Sequence, residues 1–145
     1  MIRPFNLKTD MAQVLSIWVD TSIEAHSFIP REFWVSKLDD MRNLYLPSSE
    51  TYVYEEMGFI SGFISLAGNT IAALFVLPAH QGKGIGTGLI GKAREMHSTL
   101  HVHVYTENDR AVSFYEKNGF MTVHEDIDGH TGHPELVMTS GSLQS

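Results

Sequence analysis

The 145-residue chain has no cysteine, which removes disulfides and the commonest acyl-carrying nucleophile from consideration. Lys and Arg number ten against seventeen Asp and Glu, for a formal charge of −7. So few, scattered cations exclude a duplex-binding surface, because neutralising phosphates needs clustered basic side chains. An anionic ligand is repelled at long range and must be gripped locally, by backbone N–H groups and one or two cations. No run of 18 uncharged apolar residues is present to cross a bilayer, and "MIRPFNLKTDM" lacks the basic-then-apolar layout of a secretory signal. No nucleic acid, no membrane and a cytoplasmic location are the expectations. Repeats, low-complexity blocks and interdomain linkers are also missing, so one domain is expected over residues 1–140, with "GSLQS" as a loose polar tail over 141–145.

Hydrophobic patterning is what the chain does have. "IRPFN" suggests a short strand, after which Thr9 or Asp10 caps a helix with Met11, Val14, Leu15 and Trp18 at helical spacing. Pro30 opens a second helical pattern, with Phe33, Trp34, Leu38, Met41 and Leu44 inward, ending near Pro47. Thr51 to Glu56 and Phe59 to Leu66 form a hairpin of half-buried strands turning at Met57-Gly58. "TIAALFVLP" is a nearly continuous apolar run, expected to be a central strand buried on both faces and stopped by Pro78. A helix from Lys83 or Gly84, the alternating strand "TLHVHVYTE", a helix capped by Asn108 or Asp109 and closed by Gly119, and the strands "FMTVHED" and "ELVMTS" complete the order. His130 and His133, in the loop between the last two strands, are expected to be solvated.

The chemistry concentrates in "PAHQGKGIGTGLIG", with four glycines in the seven residues from Gly82 to Gly88. A nucleotide triphosphatase loop requires Ser or Thr after its lysine, but Gly84 follows Lys83. The dinucleotide pattern matches at Gly86, Gly88 and Gly91, too far beyond the strand end at Pro78 and inside the helical pattern. A third template, Gln81-x-x-Gly84-x-Gly86, sits where strand gives way to helix. There, unbranched backbone approaches an anion closely and N–H groups at the helix start converge on a pyrophosphate, with Lys83 adding charge at the rim.

With that signature and with "ENDRAVSFYEKNGF", where Asn108, Ala111, Phe114, Tyr115, Gly119 and Phe120 fall on the family pattern, the chain resembles the GNAT superfamily of acetyl-CoA-dependent N-acetyltransferases. The resemblance implies an α/β fold with a mixed sheet whose central strands splay into a wedge. The pantetheine arm would pair with the backbone of Leu74, Phe75 and Val76, and Gln81, Gly82, Lys83, Gly84, Ile85, Gly86 and Thr87 would hold the pyrophosphate, with Asn108 touching the arm. It implies transfer of the acetyl group to an amine by direct attack in a ternary complex, with no metal. A non-catalytic acyl-CoA-binding regulatory module is the competing function.

In that frame Tyr115 is the proton donor to the departing thiolate, since a phenol with an intrinsic pKa of about 10 keeps its proton at neutral pH. Family members that acetylate amino termini often carry a Glu five residues before the motif asparagine; here the position is His103. Imidazole can accept the proton of the amine, or His103 only lines the pocket, and both readings stand. His101 shares its strand face, but the sequence supplies no third metal ligand. His26, Phe28 and Trp34 lie where the family builds its acceptor pocket, although an amphipathic helix pair would use such rings as core. The acceptor is left as a protein lysine, a protein N-terminus or a small amine, and the assembly as a monomer or homodimer.

Overall fold

The fold is described from a computed structural model, over residues 1–141; the rest of the expected polar tail lies outside the described residues. Seven strands form one sheet in the order β1-β2-β3-β4-β5-β7-β6. They are β1 (Ile2–Pro4), β2 (Glu50–Glu56), β3 (Phe59–Ala67), β4 (Thr70–Val76), β5 (Leu100–Tyr105), β6 (Met121–Ile127) and β7 (Pro134–Ser140). Neighbours run antiparallel except β4 and β5, which are parallel. On one face pack α5 (Ile85–Met96) and α6 (Asp109–Lys117), around Ile64, Leu89, Ile90, Val102, Val104, Tyr115 and Phe120. The other face carries α1 (Met11–Ala25), α2 (Arg31–Ser36) and a helical run to Ser48, around Val14, Trp18, Trp34, Phe63 and Ala73.

The hairpin turns where expected, with Met57 at φ 54° and Gly58 at φ 82°, the paired left-handed residues that match the twist of the flanking strands. The doubly buried central strand is β3 rather than β4. Residues Ile60 to Leu66 are all buried, whereas β4 buries only Ile71 and Ala73 fully. Strand β4 is apolar all along because its second side faces a cleft, not a packed layer.

Two helical expectations are also corrected. Leu44 is exposed and Leu46 buried, because Met41–Tyr45 is a π-helical turn, with Leu46 N–H bonded to the Met41 carbonyl, and the extra residue per turn rotates the apolar stripe. Beyond it, α3 (Leu38–Asp40) and α4 (Leu46–Ser48) bracket that turn, and Pro47 sits inside α4. Asp10 precedes α1 but makes no side-chain cap. Its carboxylate instead accepts two bonds from the Arg3 guanidinium, at 2.7 and 3.0 Å, and one from the Asn6 N–H at 2.7 Å. Arg3 also reaches Glu55, so one cation ties β1, β2 and the start of α1 together.

These bonds hold the Asp10 carboxyl below its ordinary pKa, the hydrogen bonds from Arg3 being the main cause, so the pair stabilises the fold above the unfolded carboxylate pKa of about 3.9 and loses that contribution as the pH falls. Asp10→Asn is expected to cost about 2 kcal/mol at pH 7, less than the roughly 3–5 kcal/mol of a fully buried pair, since Arg3 is 29% exposed and retains Glu55. Urea unfolding of both proteins from pH 7 to pH 3 checks this: the gap should close toward pH 3, and a gap independent of pH would refute the ion-pair account.

Candidate active site

Strands β4 and β5 pair at only two positions, Thr70 with His101 and Ile71 with Val102. The cause of their parting lies next to the last pair. On β3, Ser65 faces Ala73 and Leu66 faces Ile71, which leaves Ala72 as an extra residue on β4. Such a bulge bends the strand and breaks its pairing. Beyond it, Leu74, Phe75 and Val76 line a cavity of about 1050 Å³ that opens between the two strands and runs to the start of α5.

The glycine loop closes one end of this cavity, and its residues have separable tasks. The Gln81 amide donates to the Val76 carbonyl at 2.9 Å, and its oxygen accepts from Arg110 at 2.8 Å, so it braces the end of β4 against α6. Gly82 and Gly84 have φ of +80° and +83°, a region that side-chain-bearing residues rarely adopt. Gly84 is the N-cap of α5, and the first bond of the helix is Gly88 N–H to the Gly84 carbonyl at 2.9 Å. The N–H groups of Ile85, Gly86 and Thr87 therefore have no partner within the helix and suit an anion. Gly86 is required for a different reason: a Cβ there would lie 2.9 Å from the Phe114 ring, so its bareness serves α5–α6 packing. Ile85 turns its side chain into the core, Thr87 lines the cavity, and Lys83 is exposed.

Tyr115 and His103 reach the cavity from opposite faces of the sheet. Tyr115 lies on α6, 6% exposed, its ring 5.3 Å from Phe114 and 5.2 Å from Phe120. Burial pushes its phenol pKa well above the ordinary value, so it holds its proton throughout the neutral range. His103, on the α1 face of β5, is exposed and has Nδ1 2.8 Å from the Glu135 Oε2 on β7. The sheet would separate the two were β4 and β5 paired along their length; their divergence is what lets both line one cavity. His101, on the same strand face, bonds Thr139 at 2.8 Å.

Asn108 caps α6, its Oδ1 accepting from the Ala111 N–H at 3.2 Å. Its amide nitrogen therefore donates to His26 Nε2, 3.3 Å away, which puts the His26 proton on Nδ1. Burial lowers the His26 pKa to about 4, so the ring is neutral at physiological pH. Among the described residues, His26 Nδ1, Trp34 Nε1 and Thr21 Oγ1 are all buried without a hydrogen-bond partner, and all three residues line the cavity. Phe28 does not line it. It stacks behind, against His26, Tyr105 and His133.

The last loop is less solvated than expected. His130 is exposed, but His133 bonds Glu107 at 2.8 Å and packs on Phe28, while Tyr105 donates to Asp128. Arg110, Glu135 and Thr21 also line the cavity and were missed by sequence reading. Arg110 alone left a signal, adjoining the Asn108 motif; nothing in the linear order ties Glu135 to His103.

Residues 47–122 match the family model for the acetyltransferase (GNAT) domain. The peptidyl-lysine N-acetyltransferase YiaC of Escherichia coli (strain K12) is 30% identical over 139 residues, 95% of each chain. The solution structure of apo YjaB from Escherichia coli superposes with a TM-score of 0.83 at 28% identity, covering 96% of this chain and 95% of that one. The PaiA N-acetyltransferase of Thermoplasma acidophilum, crystallised with coenzyme A, shares the fold with a TM-score of 0.79 at 18% identity over 97% and 98% of the two chains.

Proposed function

The chain belongs to the GNAT acetyltransferases and is an acetyl-CoA-dependent N-acetyltransferase, and from that premise we propose that it acetylates the ε-amine of a lysine in a protein or peptide. Two relatives that the chain matches over 95% and 80% of their lengths are named for that reaction. The distribution of charge around the cavity supports the same acceptor. Glu24 and Glu135 stand on the α1 face, where an ammonium group would approach, whereas Arg110 and Lys117 belong to α6 on the other side, with Asp109 the exception. The cytoplasm is the compartment this reading takes.

The observation that carries the site assignment is the early end of β4–β5 pairing. Along the edge of β4 that β5 leaves, the backbone of Leu74, Phe75 and Val76 can receive the pantetheine amides as a strand edge would, with the Val76 carbonyl already taken by Gln81, and an N–H on that edge can polarise the thioester carbonyl. Acetyl-CoA supplies the activated acyl group. The N–H groups from Gly82 to Thr87, with Arg110 beside them, hold its pyrophosphate. His103 takes a proton from the attacking amine as the C–N bond forms, and Tyr115 gives one to the sulfur as the C–S bond breaks. The neutral His26 and Trp34 position the acceptor.

Incubation with acetyl-CoA and peptides that carry either a free lysine or only a free α-amine tests the acceptor. Thiol release with mass-spectrometric acetylation of the lysine is expected. Acetylation confined to α-amines would overturn the lysine reading, and tight CoA binding without turnover on any amine would favour the regulatory module.

A further inference from the structure

We propose that Glu135 is a positioning residue for His103, fixing the imidazole so that Nε2 is the atom presented to the acceptor amine; this rests on reading His103 as the base. A carboxylate only accepts hydrogen bonds, so the 2.8 Å contact between Glu135 Oε2 and His103 Nδ1 requires the proton on Nδ1. Nε2 then carries the lone pair. Among the described residues no protein group hydrogen-bonds it, and His103 lines the wedge.

The register makes the pairing specific. His103 faces Val137 and Tyr105 faces Glu135 across β5 and β7, so Glu135 reaches His103 along the diagonal on one face of the sheet. The Glu135 side chain is 14% exposed and that of His103 48%, which anchors the carboxylate while leaving the ring open to an incoming amine. Among the described residues, two other histidines lie within ion-pair distance of a carboxylate, His133 by Glu107 and His97 by Glu50, at 2.8 and 3.8 Å. Neither pair lines the wedge. Among these pairs of the described residues, that of His103 combines an oriented ring with access to the wedge, the arrangement in which a third group aligns a general base.

The test compares E135L, E135Q, H103A and the E135L/H103A double variant, by steady-state kinetics on a lysine peptide and by side-chain nitrogen NMR of His103. E135L is expected to lower kcat roughly 10-fold while leaving KM for acetyl-CoA unchanged, in the range typical of lost orienting partners. E135Q, whose amide oxygen still accepts from Nδ1–H, should recover most of that loss. In the H103A background E135L should cost nothing further, because the two residues act as one unit. The NMR spectrum should show the Nδ1–H tautomer in the wild type and in E135Q, and a mixture in E135L. An E135L penalty that persists in H103A, or a tautomer indifferent to E135L, would overturn the proposal. An H103A enzyme with undiminished kcat would overturn the base reading itself, and the tautomer measurement would then separately decide whether Glu135 sets the ring.

Discussion

Replacing Tyr115 with phenylalanine is expected to lower kcat by roughly 10²–10⁴-fold, the span of a lost general acid, with little change in CoA affinity. The substitution removes the hydroxyl and nothing else from the packing: the ring sits edge-on to Phe114 and Phe120 and fills the core beneath α6. Folding should therefore survive, where truncation to alanine would cost about 3–5 kcal/mol. Burial alone raises the Tyr115 phenol pKa, with no hydrogen bond to its hydroxyl among the described residues, which leaves its proton available for the sulfur. Departure of an unprotonated thiolate into a water-poor cleft is the step the loss would slow. Pre-steady-state and steady-state kinetics at saturating acetyl-CoA, alongside calorimetric titration with CoA, separate the two effects. A Phe variant with full turnover would remove Tyr115 from the reaction and leave it as a core aromatic.

The second large effect is expected at Gly84. Valine there must hold φ near +83°, and a branched side chain in that region costs about 1–3 kcal/mol, which the loop can relieve only by moving. No neighbouring atom lies within 4 Å of where its Cβ would stand, so the effect is one of backbone conformation alone. Because the free N–H groups of the first turn of α5 are aimed by this residue, Gly84→Val should weaken CoA binding by about 5- to 150-fold, the range that 1–3 kcal/mol spans. Gly91→Ala is the control. Its Cβ meets nothing and it lies within α5, so CoA affinity should be unaltered. Calorimetry giving equal CoA affinities for the wild type and Gly84→Val would refute the placement of the pyrophosphate.

Much of the proposed cofactor side was legible as geometry because it is local in sequence. Gln81, Gly84 and Gly86 fall within six residues of one another, and Asn108 to Tyr115 within one helix, so spacing and caps carry the information. Even here the reasons differed from expectation: Gly86 is bare for Phe114, and Gln81 spends its side chain on Val76 and Arg110. The acceptor side was less legible. His26 and Trp34 line the cavity as expected, but Phe28 supports from behind, and Thr21 was invisible in a helix stripe that already accounted for its neighbours.

What the sequence determined by itself is whatever depends on neighbours along the chain: the helix and strand order, the left-handed close of α6 at Gly119, the Asn108 cap, and the absence of cysteine or a basic surface. Tertiary structure decided the rest. An apolar run such as "TIAALFV" says only that its side chains shun water. Whether they meet a packed layer or an open wedge depends on a one-residue bulge at Ala72 that two other strands define. In the same way, strand alternation places His103 on a face, but only the β5–β7 register brings Glu135, 32 positions along the chain, to it. Long-range pairing energies choose that register, and no local preference encodes them.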